Sequence, residues 1–293
     1  MPISLRTCAP AVLDEVIEAV ARMQMEGSPV QLHPGDLGWA SRFGAQSLAS
    51  SLRVWRRGQE IVAVGMVDTD DGVIRMAISP TADGDEAVAE RLVADLTDAD
   101  RGVLPPGGAS VEARAGGAFR VLLQHSNWMP DEAWTPLRRN LSRGVEDCGV
   151  QVEMLDAAHA DDRIVRDRVA VGRASFDTST FTIDRWHAMA ASPAYRRGRC
   201  LIAYDSQGAA VAATTVWSAG VGRPGLIEPL GVHRDHRGLG FGRAITIAAA
   251  ATLRDMGSSS VTVCTPSTNV RAVAAYASAG FEELPAVTDF RRP

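Results

Sequence analysis

The stretch that most constrains this chain is 233–244, His-Arg-Asp-His-Arg-Gly-Leu-Gly-Phe-Gly-Arg-Ala. An apolar run at 226–232 precedes it and an alanine-rich run to residue 256 follows it. The first is strand-like and the second has a helical period, so Gly238, Gly240 and Gly242 fall at a strand-to-helix turn. Glycines at alternate positions leave backbone N–H groups unshielded. A helix N-terminus adds unpaired donors and the positive end of the macrodipole. Such a turn suits a phosphate group, and Arg234, Arg237 and Arg243 add positive charge around it.

Two phosphate-loop readings fail on the residues. A Walker A loop ends in Lys-Ser or Lys-Thr, and the chain contains no lysine. A dinucleotide fingerprint needs G-x-G-x-x-G and a carboxylate at the end of the next strand. Here the spacing is G-x-G-x-G, and the next strand, expected at 261–264, ends without an acid.

The stretch resembles the acetyl-coenzyme A loop of the GCN5-related N-acetyltransferases (GNAT), in which Gln or Arg, two residues, Gly, one residue, and Gly or Ala follow one another. Arg237, Gly240 and Gly242 fall on that pattern. Downstream, Asn269 to Tyr276 and then Gly280-Phe281-Glu282 are similar to the family's closing helix and strand, and upstream 227–232 is similar to its fourth strand. The resemblance runs from about residue 150 to the end of the sequence.

It implies an α/β fold with a central mixed sheet flanked by helices, acetyl-coenzyme A as cosubstrate, and a primary amine of a small molecule as acceptor. By resemblance, Leu230, Gly231 and Val232 offer strand backbone to the pantetheine arm, and Asn269 reaches the arm from the other side. Arg237, Gly238, Leu239, Gly240, Phe241, Gly242 and Arg243 surround the pyrophosphate. Pro229 has no N–H to donate and so marks an interrupted ladder beside these residues. An N–H of the opened strand, that of Leu230, would meet the thioester oxygen.

By the same resemblance Tyr276, two helical turns from Asn269 on the same face, is expected to be the proton donor to the leaving thiolate, a core tyrosine being the structural alternative. Glu228 is the base: a carboxylate within an apolar strand is paired, solvated or functional, and an ion pair with Arg223 is the structural alternative. Phe176, Asp177 and Trp217 are expected to face the acceptor, together with Phe181 on a loop spanning 172–181. A coenzyme-responsive binding module without turnover is the alternative function.

Composition narrows the partners. Net charge is −5, against the basic excess of a nucleic-acid surface. Four scattered cysteines suggest neither zinc nor a disulfide framework. No apolar run is long enough to span a membrane, and the N-terminus lacks a signal pattern, so the expected compartment is the cytoplasm.

The first half follows the same order of expected elements: helix 10–25, strands 52–55, 61–68 and 73–78, helix 85–96, strand 110–114, helix 118–125 and strand 134–141. Gly58 matches Gly208, Ile78 matches Val232 and Trp128 matches Phe281, at offsets of 150, 154 and 153 residues. A shared order at a near-fixed offset indicates duplication of one unit. The expected domains are 1–145 and 150–293, two GNAT-like units in tandem. Opposite the glycine loop, 79–86 carries one glycine, no arginine and three carboxylates, and Leu123 stands opposite Tyr276. The first copy is therefore expected to bind no coenzyme.

Overall fold

The computed structural model describes residues 1–68, 71–155 and 161–292. The chain forms two compact units that do not follow its two halves: 1–33, 45–134 and 285–293 in one, and 34–44 and 135–284 in the other. The boundary expected between 145 and 150 lies within the second unit.

The first half contributes β1 (Ile3–Thr7), α1 (Leu13–Met23), α2 (Pro34–Ala40), α3 (Ala45–Ser51), β2 (Leu52–Arg57), β3 (Glu60–Asp68) and β4 (Val73–Ile78). Next come α4 (Glu86–Thr97), β5 (Ala109–Glu112), α5 (Gly117–His125) and β6 (Met129–Asn140). The second half contributes β7 (Gln151–Leu155), α6 (Asp162–Ser175), α7 (Ile183–Ala190), β8 (Gly198–Tyr204), β9 (Ala210–Ser218) and β10 (Gly225–Val232). It ends with α8 (Phe241–Asp255), β11 (Ser260–Pro266), α9 (Val270–Ser278), β12 (Glu282–Glu283) and β13 (Val287–Arg292).

Within the first unit the strands run β1-β2-β3-β4-β5-β13 and then the start of β6; within the second they run β7-β8-β9-β10-β11, the end of β6, and β12. The two orders correspond strand for strand. Each sheet is completed by the last strand of the other copy: β13 pairs with β5 in the first unit, and the end of β6 neighbours β11 in the second. Arg114 and Asp289, both buried, fix β13 with two N–H···O bonds of 3.2 and 3.0 Å. Helix α2 belongs to the second unit although the first half encodes it.

Amphipathic spacing accounts for α1, whose Val16, Ile17 and Val20 are fully buried. In α8 the alanines at 248–250 and Leu253 are buried together with Ile245 and Ile247 of the same core cluster. Two differences from the sequence reading stand out. Helix α6 continues to Ser175, so Gly172 lies in a helix rather than at the start of a loop. The segment at 34–40, Pro-Gly-Asp-Leu-Gly-Trp-Ala, is a helix despite two glycines. A Cβ at Gly35 would lie 2.7 Å from the Trp217 ring, and Gly38 touches the same ring, so the bare faces of both residues let α2 lie against this buried indole. Pro34 at the first turn needs no intrahelical partner. Among the described residues no helix is long and apolar enough to cross a membrane.

Candidate active site

The site of the second unit is a fork between β10 and β11. The two strands pair in parallel only at Gly225 with Val261 and Leu226 with Thr262, and beyond that point they part. On its other side β10 stays paired with β9, with a register break between Ile227 and Leu230 where Pro229 supplies no N–H. Thr214 Oγ1 donates to the Pro229 carbonyl (2.9 Å) and Trp217 Nε1 to the Glu228 carbonyl (2.7 Å), so the break leaves neither oxygen unsatisfied.

The N–H of His233 bonds to Val211 on β9. Residues of an antiparallel pair alternate in the side to which their peptide groups point, so Gly231 also bonds toward β9. Leu230 and Val232 therefore turn their N–H and C=O groups into the fork. No hydrogen bond to these groups forms among the described residues. Gly231 has a different role: a Cβ there would come within 2.5 Å of Ser175 and 3.1 Å of the Phe176 ring, so its bare face lets the end of α6 lie against β10.

After β10 the chain turns through 234–236, where His233 Nδ1 accepts the Asp235 N–H at 3.3 Å, and reaches the glycines. Gly238 and Gly240 have φ of +80° and +87°, a region disfavoured for side-chain-bearing residues, and nothing lies within 4 Å of where a Cβ would stand on either. Gly240 precedes the first residue of α8 and offers no side chain to its N–H groups. From Gly238 to Gly242 the backbone donors bond to no other described residue. The loop is exposed, with Leu239 66% accessible, while Phe241 is half-buried and meets His236 edge-on.

The arginines sit differently from the sequence expectation. Arg237 Nη2 donates to the Ser175 carbonyl at 2.8 Å, and Arg234 Nε donates to that of Ala174 at 3.0 Å. Both guanidinium groups close the C-terminal turn of α6, where carbonyls lack partners and the dipole is negative. Arg243 turns to the Ser278 carbonyl at the end of α9 (2.9 Å) and to Glu146 (3.7 Å); only its backbone belongs to the helix start. The loop's own contribution to an anion is thus its peptide N–H groups, with Arg237 beside them.

Asn269 opens α9, its side-chain oxygen accepting the Ala272 N–H at 3.2 Å. Seven residues on, Tyr276 is half-buried against Phe281, with ring centroids 5.6 Å apart. Burial pushes the Tyr276 phenol above its ordinary range, and the charge of Glu228 raises it further, so the hydroxyl keeps its proton at neutral pH. That electrostatic link joins a residue of β10 to one of α9 across the fork.

Of the residues expected to face the acceptor, Phe176 is 44% exposed and packs beside Gly231. Asp177, with its side chain 89% exposed, pairs with Arg234 at 3.2 Å. Trp217 does not face an opening. It is fully buried among Gly35, Gly38, Gly198 and Tyr195, and its role is to hold the Glu228 carbonyl. Phe181 is likewise buried and stacks on Trp39 of α2 (5.1 Å). Sequence reasoning missed α2 altogether. The signal that could have found it was Gly35 and Gly38, three residues apart, ahead of the large aromatic Trp39. Among the described residues no cluster of His, Cys, Asp and Glu suited to a metal ion is present.

Residues 166–281 match the sequence model of the Acetyltransferase (GNAT) family. The second half of the chain thus carries a GNAT domain. The fold of the whole chain is similar to that of a tandem GNAT protein from the clavulanic acid biosynthesis pathway, with TM-score 0.62, 16% identity, and 99% of this chain and 98% of that one covered. A GNAT-family acetyltransferase from Colwellia psychrerythraea covers all of both chains at 16% identity and TM-score 0.61. A GCN5-related N-acetyltransferase from Sphaerobacter thermophilus gives 17% identity and TM-score 0.56 over 99% and 95%. A search of the curated proteins gave no match to the sequence. At these identities the structural likeness is one of fold; the GNAT domain itself supports acyl transfer as the class of reaction.

Proposed function

We propose that the second unit of this GNAT protein moves an acetyl group from acetyl-coenzyme A to a primary amine of a small molecule by direct attack in a ternary complex. The reading is supported by one arrangement: β10 has an opened edge, the start of α8 has bare N–H groups, and Glu228 on β10 acts electrostatically on Tyr276 of α9. The free peptide groups of Leu230 and Val232 fit the amide-rich pantetheine arm, and the bare N–H groups from Gly238 to Gly242 fit a pyrophosphate. Arg237 lies beside them, and the side-chain amide nitrogen of Asn269, whose oxygen is committed to its helix, remains as a donor. The coenzyme supplies an activated acetyl thioester.

The chain's own groups divide the remaining work. Glu228 takes the proton of the amine, directly or through a water. The Leu230 N–H stabilises negative charge developing on the carbonyl oxygen. The Tyr276 hydroxyl, held neutral by burial, gives its proton to the departing sulfur.

Isothermal titration with acetyl-coenzyme A tests the binding half of the proposal. One site per chain is expected, lost in Arg237→Glu; two sites or none contradicts it. Release of free thiol over a broad amine panel tests the chemical half. Binding without release over that panel would leave a coenzyme-responsive module in place of an enzyme.

A further inference from the structure

On the face of the second unit's sheet covered by α6 and α7, one charge has no counterpart. Arg168 of α6 is 2% exposed, and its Nε has no hydrogen-bond partner. Nη2 reaches Thr215 Oγ1 only at 3.5 Å, and the guanidinium otherwise lies 5.1 Å over the ring of Phe181. Among the described residues no carboxylate pairs with it. Arginine keeps its charge at every accessible pH, and a buried charge without a partner is strongly unfavourable.

The surroundings show that the position is built rather than accidental. A Cβ on Gly172, one turn along α6, would lie 2.9 Å from Arg168 Nη1, so a helix-weakening glycine clears room for the guanidinium. The Tyr195 hydroxyl is no counter-ion: burial raises it well above its ordinary value, and it donates to the Leu155 carbonyl. Trp186 Nε1, in the same buried cluster, also lacks an acceptor. Two of the three buried side-chain atoms without partners among the described residues are therefore donors of this one cluster. What the cluster lacks is an anion.

Thr215 on β9 lies between Thr214, opposite Leu230, and Val216, opposite Ile227, which puts it level with the Glu228–Pro229 break. Thr215, which the guanidinium meets, thus sits on the strand next to the one that carries Glu228. We propose that Arg168 binds a carboxylate of the acceptor, making the substrate class of the second unit amino acids and similar amines that carry a carboxylate. This rests on the acyl-transfer reading. Phe181, which contacts both Arg168 and Trp39, covers the guanidinium, so a carboxylate reaches it only if that ring moves.

The full chain tests this in two ways. In thermal unfolding with acetate or glutarate against chloride at equal ionic strength, the carboxylates raise Tm of the wild type. Arg168→Met raises Tm in chloride, because an apolar side chain replaces an unpaired buried charge, and it abolishes the carboxylate response. A fall in Tm or failure to fold in Arg168→Met, an equal response in both proteins, or none in the wild type overturns the proposal. In thiol-release assays, free amino acids turn over in preference to their carboxamides, and Arg168→Lys raises KM for the acids by about tenfold while coenzyme affinity stays put. Equal rates for acids and amides overturn the assignment. Absence of coenzyme binding in the wild type instead refutes acyl transfer, and the carboxylate response in Tm stands or falls without it.

Discussion

The two units share a strand order, and their forks differ in what fills them. In the first unit β4 and β5 pair in parallel through Arg75 and Glu112 and then part, as β10 and β11 do in the second. There the exposed edge of β4 is taken by the unit's own chain: the Leu32 N–H donates to the Met76 carbonyl at 3.0 Å, and Gln31 Oε1 accepts the Ile78 N–H at 2.9 Å. Met76 and Ile78 are the counterparts of Leu230 and Val232 at the offset of 154. The helix terminus is filled too. Asp85 accepts the Val88 N–H at the start of α4, and Asp83 accepts the N–H groups of Gly116 and Gly117 at the start of α5. The first copy has carboxylates and a side-chain amide where the second has bare backbone. In the first unit the strand edge and the helix starts at this place are satisfied by the unit's own residues.

Making the second unit resemble the first is the harshest test. Gly240→Asp places a carboxylate at the N-terminus of α8 and is expected to weaken acetyl-coenzyme A binding by about 100-fold or more, through repulsion of the phosphates at a terminus that otherwise favours them. Gly240→Ala carries the same backbone penalty at φ +87° without the charge and separates the two effects in the same titration.

Tyr276→Phe makes the second unit resemble the first at the position of Leu123. A fall in kcat of about 100-fold is expected, with coenzyme affinity unchanged; unchanged turnover removes the residue from the mechanism. The raised pKa also has a sign. The folded protein holds the phenol proton more tightly than the unfolded chain, so the stabilisation is complete below the ordinary value of 10.0 and is lost as pH rises above it. Thermal unfolding above about pH 10 should therefore decline more steeply in the wild type than in the Phe variant.

Opening the first unit has a smaller effect. Gln31→Ala strands the Ile78 N–H and the Met23 carbonyl and is expected to cost about 1–3 kcal/mol in denaturant unfolding, with coenzyme stoichiometry still one per chain. A second site appearing in this variant would mean that the filled fork remains competent. The smallest effect is expected for Asp85→Ala. Arg57 and then the Val88 N–H hold the Asp85 carboxyl below its ordinary 3.8, so its contribution is present above that value and disappears as pH falls through the lower folded-state pKa. The Tm difference from wild type should close in acid.

The glycine loop was legible because phosphate chemistry dictates backbone exposure, and alternate glycines leave a mark in sequence. The register break of β10 was legible for a similar reason, since Pro229 removes a donor from the ladder with β9 at a fixed place. Other features left no such mark. Gln31 and Leu32 carry none, because hydrogen bonds to Ile78 and Met76, 47 and 44 residues on, have no local signature. Gly35 and Gly38 read as helix breakers, while the ring they accommodate belongs to Trp217, far along the chain. Trp217 itself was expected at an opening, but a strand's alternation does not say which helix covers which face. The guanidinium contacts of Arg237 and Arg243 depended on where α6 and α9 end, and α6 runs about a turn further than the pattern.

The reciprocal exchange of last strands also bears on how such a gene can change. A fragment encoding either copy alone would leave an open sheet edge where β13 or the end of β6 belongs, and such edges invite aggregation. Deleting the first copy would therefore remove a structural member of the second. Each half is thus tied to the other by architecture, whatever its own ligand chemistry.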